Sequence, residues 1–175
     1  MKKLLYLFLV LGLFACSDES ADDDENNNDE QNTSEFDYGI LAYYGNDGIS
    51  SGNYNFDIIL LSDEIDLHCG DEEATGSGKA LYFEMFTSNS SGLDEGTYNY
   101  SDNFGVLGTW DIGEYCTDCN PTEENANFYN LTSGTVTIAK SGSTYSISWD
   151  CTSSTGFGIN GSYTGSLEYC DLEGD

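Results

Sequence analysis

Residues 36–175 read as one all-β domain, and three observations carry that expectation. Short apolar runs alternate with a period of two, and no window holds a sustained helical stripe. The chain has 13 Tyr and 20 Gly against a single Pro, a composition of strands and tight turns. Turn signals such as Asn46-Asp47-Gly48 and Ser141-Gly142-Ser143 punctuate the apolar runs. Eight or nine short antiparallel strands at this spacing predict a two-sheet β-sandwich or jelly roll, with a closed barrel as the alternative.

The elements follow in order. Residues 36–44 place Tyr38, Ile40, Ala42 and Tyr44 on one face and Gly39, Leu41 and Tyr43 on the other. Residues 54–61 set Tyr54, Phe56, Ile58 and Leu60 against Ile59 and Leu61, so their second half is apolar on both faces, as in a central strand. Residues 62–78 form a long acidic loop. Residues 79–87 alternate Leu81, Phe83 and Met85 with Tyr82, Glu84 and Phe86. Short strands are expected at 96–100 and, around Trp110, at 106–112. Residues 114–125 read as a loop holding Cys116, Cys119 and Pro121. The clearest pattern is a three-stranded meander over 134–140, 144–151 and 157–169, with one wet face and one buried face. Gly161 and Gly165 fall on its buried parity and predict strong coiling, a bulge or the close approach of another strand.

Charge narrows the partners. Thirty-two acidic residues face four Lys and no Arg, for a formal net charge of −28. Phosphate contacts need cations, so nucleic acid is excluded as a partner. Self-repulsion on this scale is relieved by salt, which points to a saline habitat.

The N-terminus sets the compartment. Lys2 and Lys3 precede an uncharged apolar run over 4–15, which has the length of a signal-peptide core and is too short to span a bilayer. Leu13-Phe14-Ala15-Cys16 closes it. Leu13, Ala15 and Cys16 resemble the lipobox of bacterial lipoproteins, although Phe14 is bulkier than the usual residue there. That resemblance implies cleavage after residue 15, lipidation of Cys16 and anchoring in the outer membrane. Residues 16–35 hold no aliphatic side chain larger than Ala21 and carry the run Asp22-Asp23-Asp24-Glu25, so they read as a disordered, extended tether. Ser17-Asp18-Glu19 after the cysteine is similar to the surface-export signal of Bacteroidetes lipoproteins, which implies a domain facing the cell exterior. The meander from Ser133 to Gly165 likewise resembles uncharacterised surface lipoproteins of that group; the resemblance brings no activity with it.

Candidate sites are diffuse. Cys69, Cys116, Cys119, Cys151 and Cys170 remain after lipidation, and an exported protein can oxidise them, leaving one thiol over. His68, Cys69, Cys116 and Cys119 would make a zinc ligand set, although disulfides are the simpler use of exported cysteines. Asp63, Glu64, Asp66, Asp71, Glu72 and Glu73 crowd one loop, which is either solvated or a calcium site. A Ser-His-Asp triad would have to use His68, and no nucleophile elbow is present. Asp57 and Glu84 lie on strands and could form a glycosidase pair, but strand-borne carboxylates ordinarily face solvent. Tyr43, Tyr44, Tyr98, Tyr100, Trp110 and Tyr129 are candidates for stacking on sugars, or ordinary half-buried strand residues. The expectation is a non-enzymatic surface module that binds a glycan or a surface protein. The alternatives are a lipocalin-like barrel carrying a small apolar ligand, and a hydrolase whose carboxylates the sequence does not locate.

Overall fold

The computed structural model describes residues 35–46, 49–50, 52–71, 73–119 and 128–173. Cys16, nearly all of the acidic tether, Glu72 and Pro121 lie outside these residues. The domain is all-β, with β1 (Tyr38–Gly45), β2 (Tyr54–Leu61), β3 (Ile65–Asp66), β4 (Thr75–Gly76), β5 (Gly78–Thr87), β6 (Gly96–Tyr100), β7 (Thr109–Cys119), β8 (Phe128–Ser141), β9 (Thr144–Ser153), β10 (Gly158–Gly165) and β11 (Glu168–Asp171). Nine strands form one curled mixed sheet, a half-barrel, in the order β10-β9-β8-β6-β7-β5-β2-β1-β11. The β3–β4 pair is a separate small hairpin.

Neighbouring strands are antiparallel, as expected, except β6–β7 and β1–β11, which run parallel. The second exception comes from the end of the meander. The stretch 157–169 breaks after Gly165, Ser166 and Leu167 cross to the far edge of the sheet, and β11 pairs there with β1, Ile40 opposite Glu168. Gly39 makes the crossing possible, because a Cβ at that position would collide with the Leu167 side chain. The same turn of chain brings β10 round to face β1. Phe36 and Trp149 have ring centroids 5.8 Å apart, and a shallow groove of about 420 Å³ runs along the seam between residues 36–38 and 163–166.

One core fills the inside of the curl. It is built on Phe56, Ile58, Leu60, Leu81, Phe83, Met85, Trp110, Val136, Ile138, Ile147 and Trp149. A second core lies on the outer face, where Ile40, Ala42, Ile59, Leu61, Ala80 and Tyr82 meet Ile65, Leu67 and Ala74 of the 62–78 loop. The loop that reads as acidic and solvated therefore also supplies a lid of three apolar side chains. This explains why β2 and β5 are buried on both faces while the outer strands alternate.

Other boundaries shift for local reasons. β7 starts later than expected and runs on through Cys119, because Cys116 and Cys119 are buried in the outer core and Tyr115 pairs with Tyr129 of β8. Gly161 lies against the Trp149 indole and Gly165 against the Tyr163 ring. Of the coiling, bulge or close approach expected at these glycines, the structure shows close approach, by the Trp149 ring of the neighbouring strand β9 at Gly161 and by the Tyr163 ring of β10 itself at Gly165.

Candidate functional site

Two constellations stand out. The first is a row of rings at one lip of the curl. Tyr115 and Tyr129 are directly opposite in the β7–β8 ladder, and Phe157 follows from the β9–β10 turn. Successive ring centroids are 6.2 Å and 6.2 Å apart, with interplanar angles of 32° and 31°. Phe157 is 62 % exposed, and the two tyrosines are part-buried against the inner core. Polar groups flank the row. The Tyr115 hydroxyl donates to Glu35 Oε2 at 3.2 Å, and the Ser153 and Thr155 hydroxyls are 2.9 Å apart beside Phe157. Desolvation, then the Glu35 charge, pushes the Tyr115 phenol up to about 12.

The second is a carboxyl cluster on the outer face. Asp57 of β2 sits directly opposite Glu84 of β5, and Asn55 flanks Glu84 on the same face. Asp111 is the extra residue of a bulge in β7, between Trp110 opposite Met85 and Ile112 opposite Glu84. Asp57, Glu84 and Asn55 are buried. The Asn55 amide donates to Glu84 Oε1 at 2.5 Å. Burial and then the neighbouring Glu84 charge hold the Asp57 carboxyl well above its usual range, with the Tyr82 and Tyr44 hydroxyls opposing the rise. Asp111 is raised to about 7 by desolvation, the Glu84 charge and a hydrogen bond to Glu84. Asp57 and Asp111 thus hold protons at a pH where ordinary carboxyls are bare.

Linkage fixes the sign of the consequence. The folded state keeps a proton on Asp111 that the unfolded chain releases near pH 4, so stability falls as pH rises from about 4 through about 7. A rise from 3.8 to about 7, at about 1.4 kcal/mol per pKa unit, is halved to about 2 kcal/mol because Asp111 is part-exposed. Asp111→Asn is expected to remove its share of that fall. The urea midpoint lost between pH 5 and pH 8 should shrink relative to the wild type, the remainder coming from the raised Asp57 carboxyl.

The sequence candidates are placed as follows. Asp57 and Glu84 come together, buried and not solvent-facing; Asp111 completes the group and was not singled out from the sequence. Tyr43, Tyr98 and Trp110 are core rings, and Tyr100 packs on Trp110 with centroids 4.9 Å apart. Tyr44 turns its hydroxyl to Asp57. These five do not assemble a platform; of the rings weighed in the sequence, only Tyr129 lies in the exposed row. Phe157 was legible only as a core-parity residue of the meander.

Cys69 and Cys170 stand at disulfide distance with Cα atoms 5.5 Å apart, and Cys116 and Cys119 at 5.7 Å. Cys151 is the thiol left over, buried and pushed up to about 12 by desolvation. Cys69 thus pairs with Cys170 and Cys116 with Cys119, so all three thiols of the zinc set stand in disulfide pairs. His68 contacts Asp66 at 3.3 Å and Glu168 at 3.4 Å, and Tyr38 bonds both His68 and Glu168. Asp71 caps the His68 amide at 2.8 Å. Asp63, Glu64 and Glu73 are exposed, and Glu72 lies outside the described residues. Among the described residues, no three His, Cys, Asp or Glu side chains converge on a point as a metal site would require.

No family model matches this chain, and comparison with curated proteins and with solved structures finds nothing similar to it.

Proposed function

We propose that the protein is a lipid-anchored module of the outer cell surface that binds a neutral glycan along the Tyr115–Tyr129–Phe157 row. The row itself carries the reading. Three rings in sequence, one of them 62 % exposed, offer apolar faces to successive sugar rings, with hydroxyls and a carboxylate alongside for sugar hydroxyls. Net charge of −28 disfavours sulfated or uronic glycans, so the partner is a neutral polysaccharide. The Leu13-Phe14-Ala15-Cys16 motif and the acidic tether support the anchor and the outward direction. The interior of the curl is filled by side chains of zero or near-zero exposure, which favours a surface platform over a ligand carried inside.

The test is a pull-down and array screen of neutral polysaccharides with the full chain in mild detergent. Phe157→Ala and Tyr129→Ala are each expected to weaken binding by about tenfold, since a stacked ring contributes about 0.5–1.5 kcal/mol beyond its buried area. Binding that survives both substitutions unchanged removes this reading.

A further inference from the structure

We propose that the groove along the seam between residues 36–38 and 163–166 is a second subsite for the same glycan, so that the protein takes a linear neutral polysaccharide along a run of several sugar units. This subsite presupposes the Tyr115–Tyr129–Phe157 row as the glycan platform. Glu35 joins the two. Its carboxylate accepts a hydrogen bond at 3.2 Å from Tyr115, which ends the row. Asp37, two residues on and so within about 7 Å along the chain, lines the groove, whose volume is about 420 Å³. A chain that leaves the row at Tyr115 thus meets the groove next.

The groove differs from the row in chemistry. Phe36 and Tyr163 line it but are 1 % and 4 % exposed, so they offer little open ring face. Its exposed residues are Asp37, Thr164 and Ser166, whose carboxylate and hydroxyls suit sugar hydroxyls. Glu35 is already held by Tyr115 and by Lys79 at 3.5 Å, which leaves Asp37 as the carboxylate of the groove. Both walls are set before a ligand arrives. The Asp37 amide donates to the Leu61 carbonyl at 2.9 Å, and the Tyr163 hydroxyl donates to the Ser166 carbonyl at 2.8 Å. Walls held in place spare the ligand the cost of ordering them. Rings at one end and hydrogen-bonding groups at the other suit a polymer that stacks on the first and is gripped through its hydroxyls by the second. The carboxylates of Glu35 and Asp37 along the path turn away uronic and sulfated units.

The probes are oligosaccharide ladders cut from β-glucan, mannan and xylan, titrated calorimetrically into the full chain in mild detergent. The three rings of the row cover a trisaccharide. A hexasaccharide of the same polymer reaches the groove and is expected to bind at least about tenfold more tightly, the weight of one hydrogen bond to a charged group. The Asp37→Asn, Thr164→Ala protein should bind the two lengths alike, whereas Phe157→Ala should weaken both. Hydrogen exchange on the wild type gives a readout that needs no variant. The hexasaccharide, and not the trisaccharide, should protect amides of residues 36–38 and 163–166. The groove subsite falls, with the row intact, if the wild type binds both lengths equally, if the gain with length survives in the Asp37→Asn, Thr164→Ala protein, or if the hexasaccharide protects nothing at the seam. If no ladder binds, or if Phe157→Ala leaves both lengths unchanged, the row falls and takes the subsite with it.

Discussion

Opening the Cys69–Cys170 bridge is expected to destabilise the domain far more than opening Cys116–Cys119. The two pairs stand at similar Cα distances, but one closes a span of 101 residues and the other a span of 3. Loop-closure entropy then assigns the long bridge about 4.7 kcal/mol and the short one less than about 2 kcal/mol. The structure adds a local reason. Cys69 belongs to the loop that lids the outer core, and Cys170 to β11, the edge strand that holds β1. Glu168, next to this bridge, also takes hydrogen bonds from Tyr38 and from the Cys69 amide. Freed of the bridge, the lid and β11 can leave together and expose Ile40, Ile59 and Leu61. A Cys69→Ser, Cys170→Ser protein should lose about 2 M in urea midpoint, whereas Cys116→Ser, Cys119→Ser should lose less than half of that. Hydrogen exchange should show the loss of protection confined first to β1, β11 and the 62–78 segment. Equal costs for the two bridges would mean that the outer lid is held by packing alone.

Much of the fold is legible in the sequence because strand alternation is a local property. The runs at 54–61, 79–87, 96–100 and 144–151 are strands with little change of boundary. What the sequence hides is which faces are covered. Asp57 and Glu84 look solvent-facing by residue type, yet the same two strands read as apolar on both sides a few residues away. That second face is covered by Ile65, Leu67 and Ala74, which stand in a stretch dominated by acidic residues. The parallel β1–β11 pairing is hidden for a different reason. A period of two runs unbroken from 157 to 169, and only the crossing at Ser166 and Leu167 divides it. Asp111 joins the carboxyl cluster through a bulge, a feature with no periodic signature. The Tyr115–Tyr129–Phe157 row is assembled across three chain segments, so no local pattern announces it.

Trp110→Ala is expected to cost about 3–5 kcal/mol, while Trp110→Phe costs much less. The indole is fully buried at the centre of the inner core, with Phe83 and Tyr100 at 5.3 Å and 4.9 Å between ring centroids. Gly113 lies against it so closely that a Cβ there would stand 2.9 Å from the ring. The side chains around it are closely packed and relax only in part, so truncation leaves a cavity as well as removing transferred surface. The indole Nε1 has no hydrogen-bond partner, and an orphan buried donor costs about 1–3 kcal/mol. Phenylalanine removes that donor while keeping most of the ring, and the two effects offset. The same variant decides between a platform and a carrier. An engineered apolar cavity stays dry and takes up small apolar molecules. Indole should therefore raise the melting temperature of Trp110→Ala and leave the wild type unmoved. If the wild type responds as strongly, the interior is not closed by its own side chains, and the half-barrel is a vessel for a small apolar ligand after all.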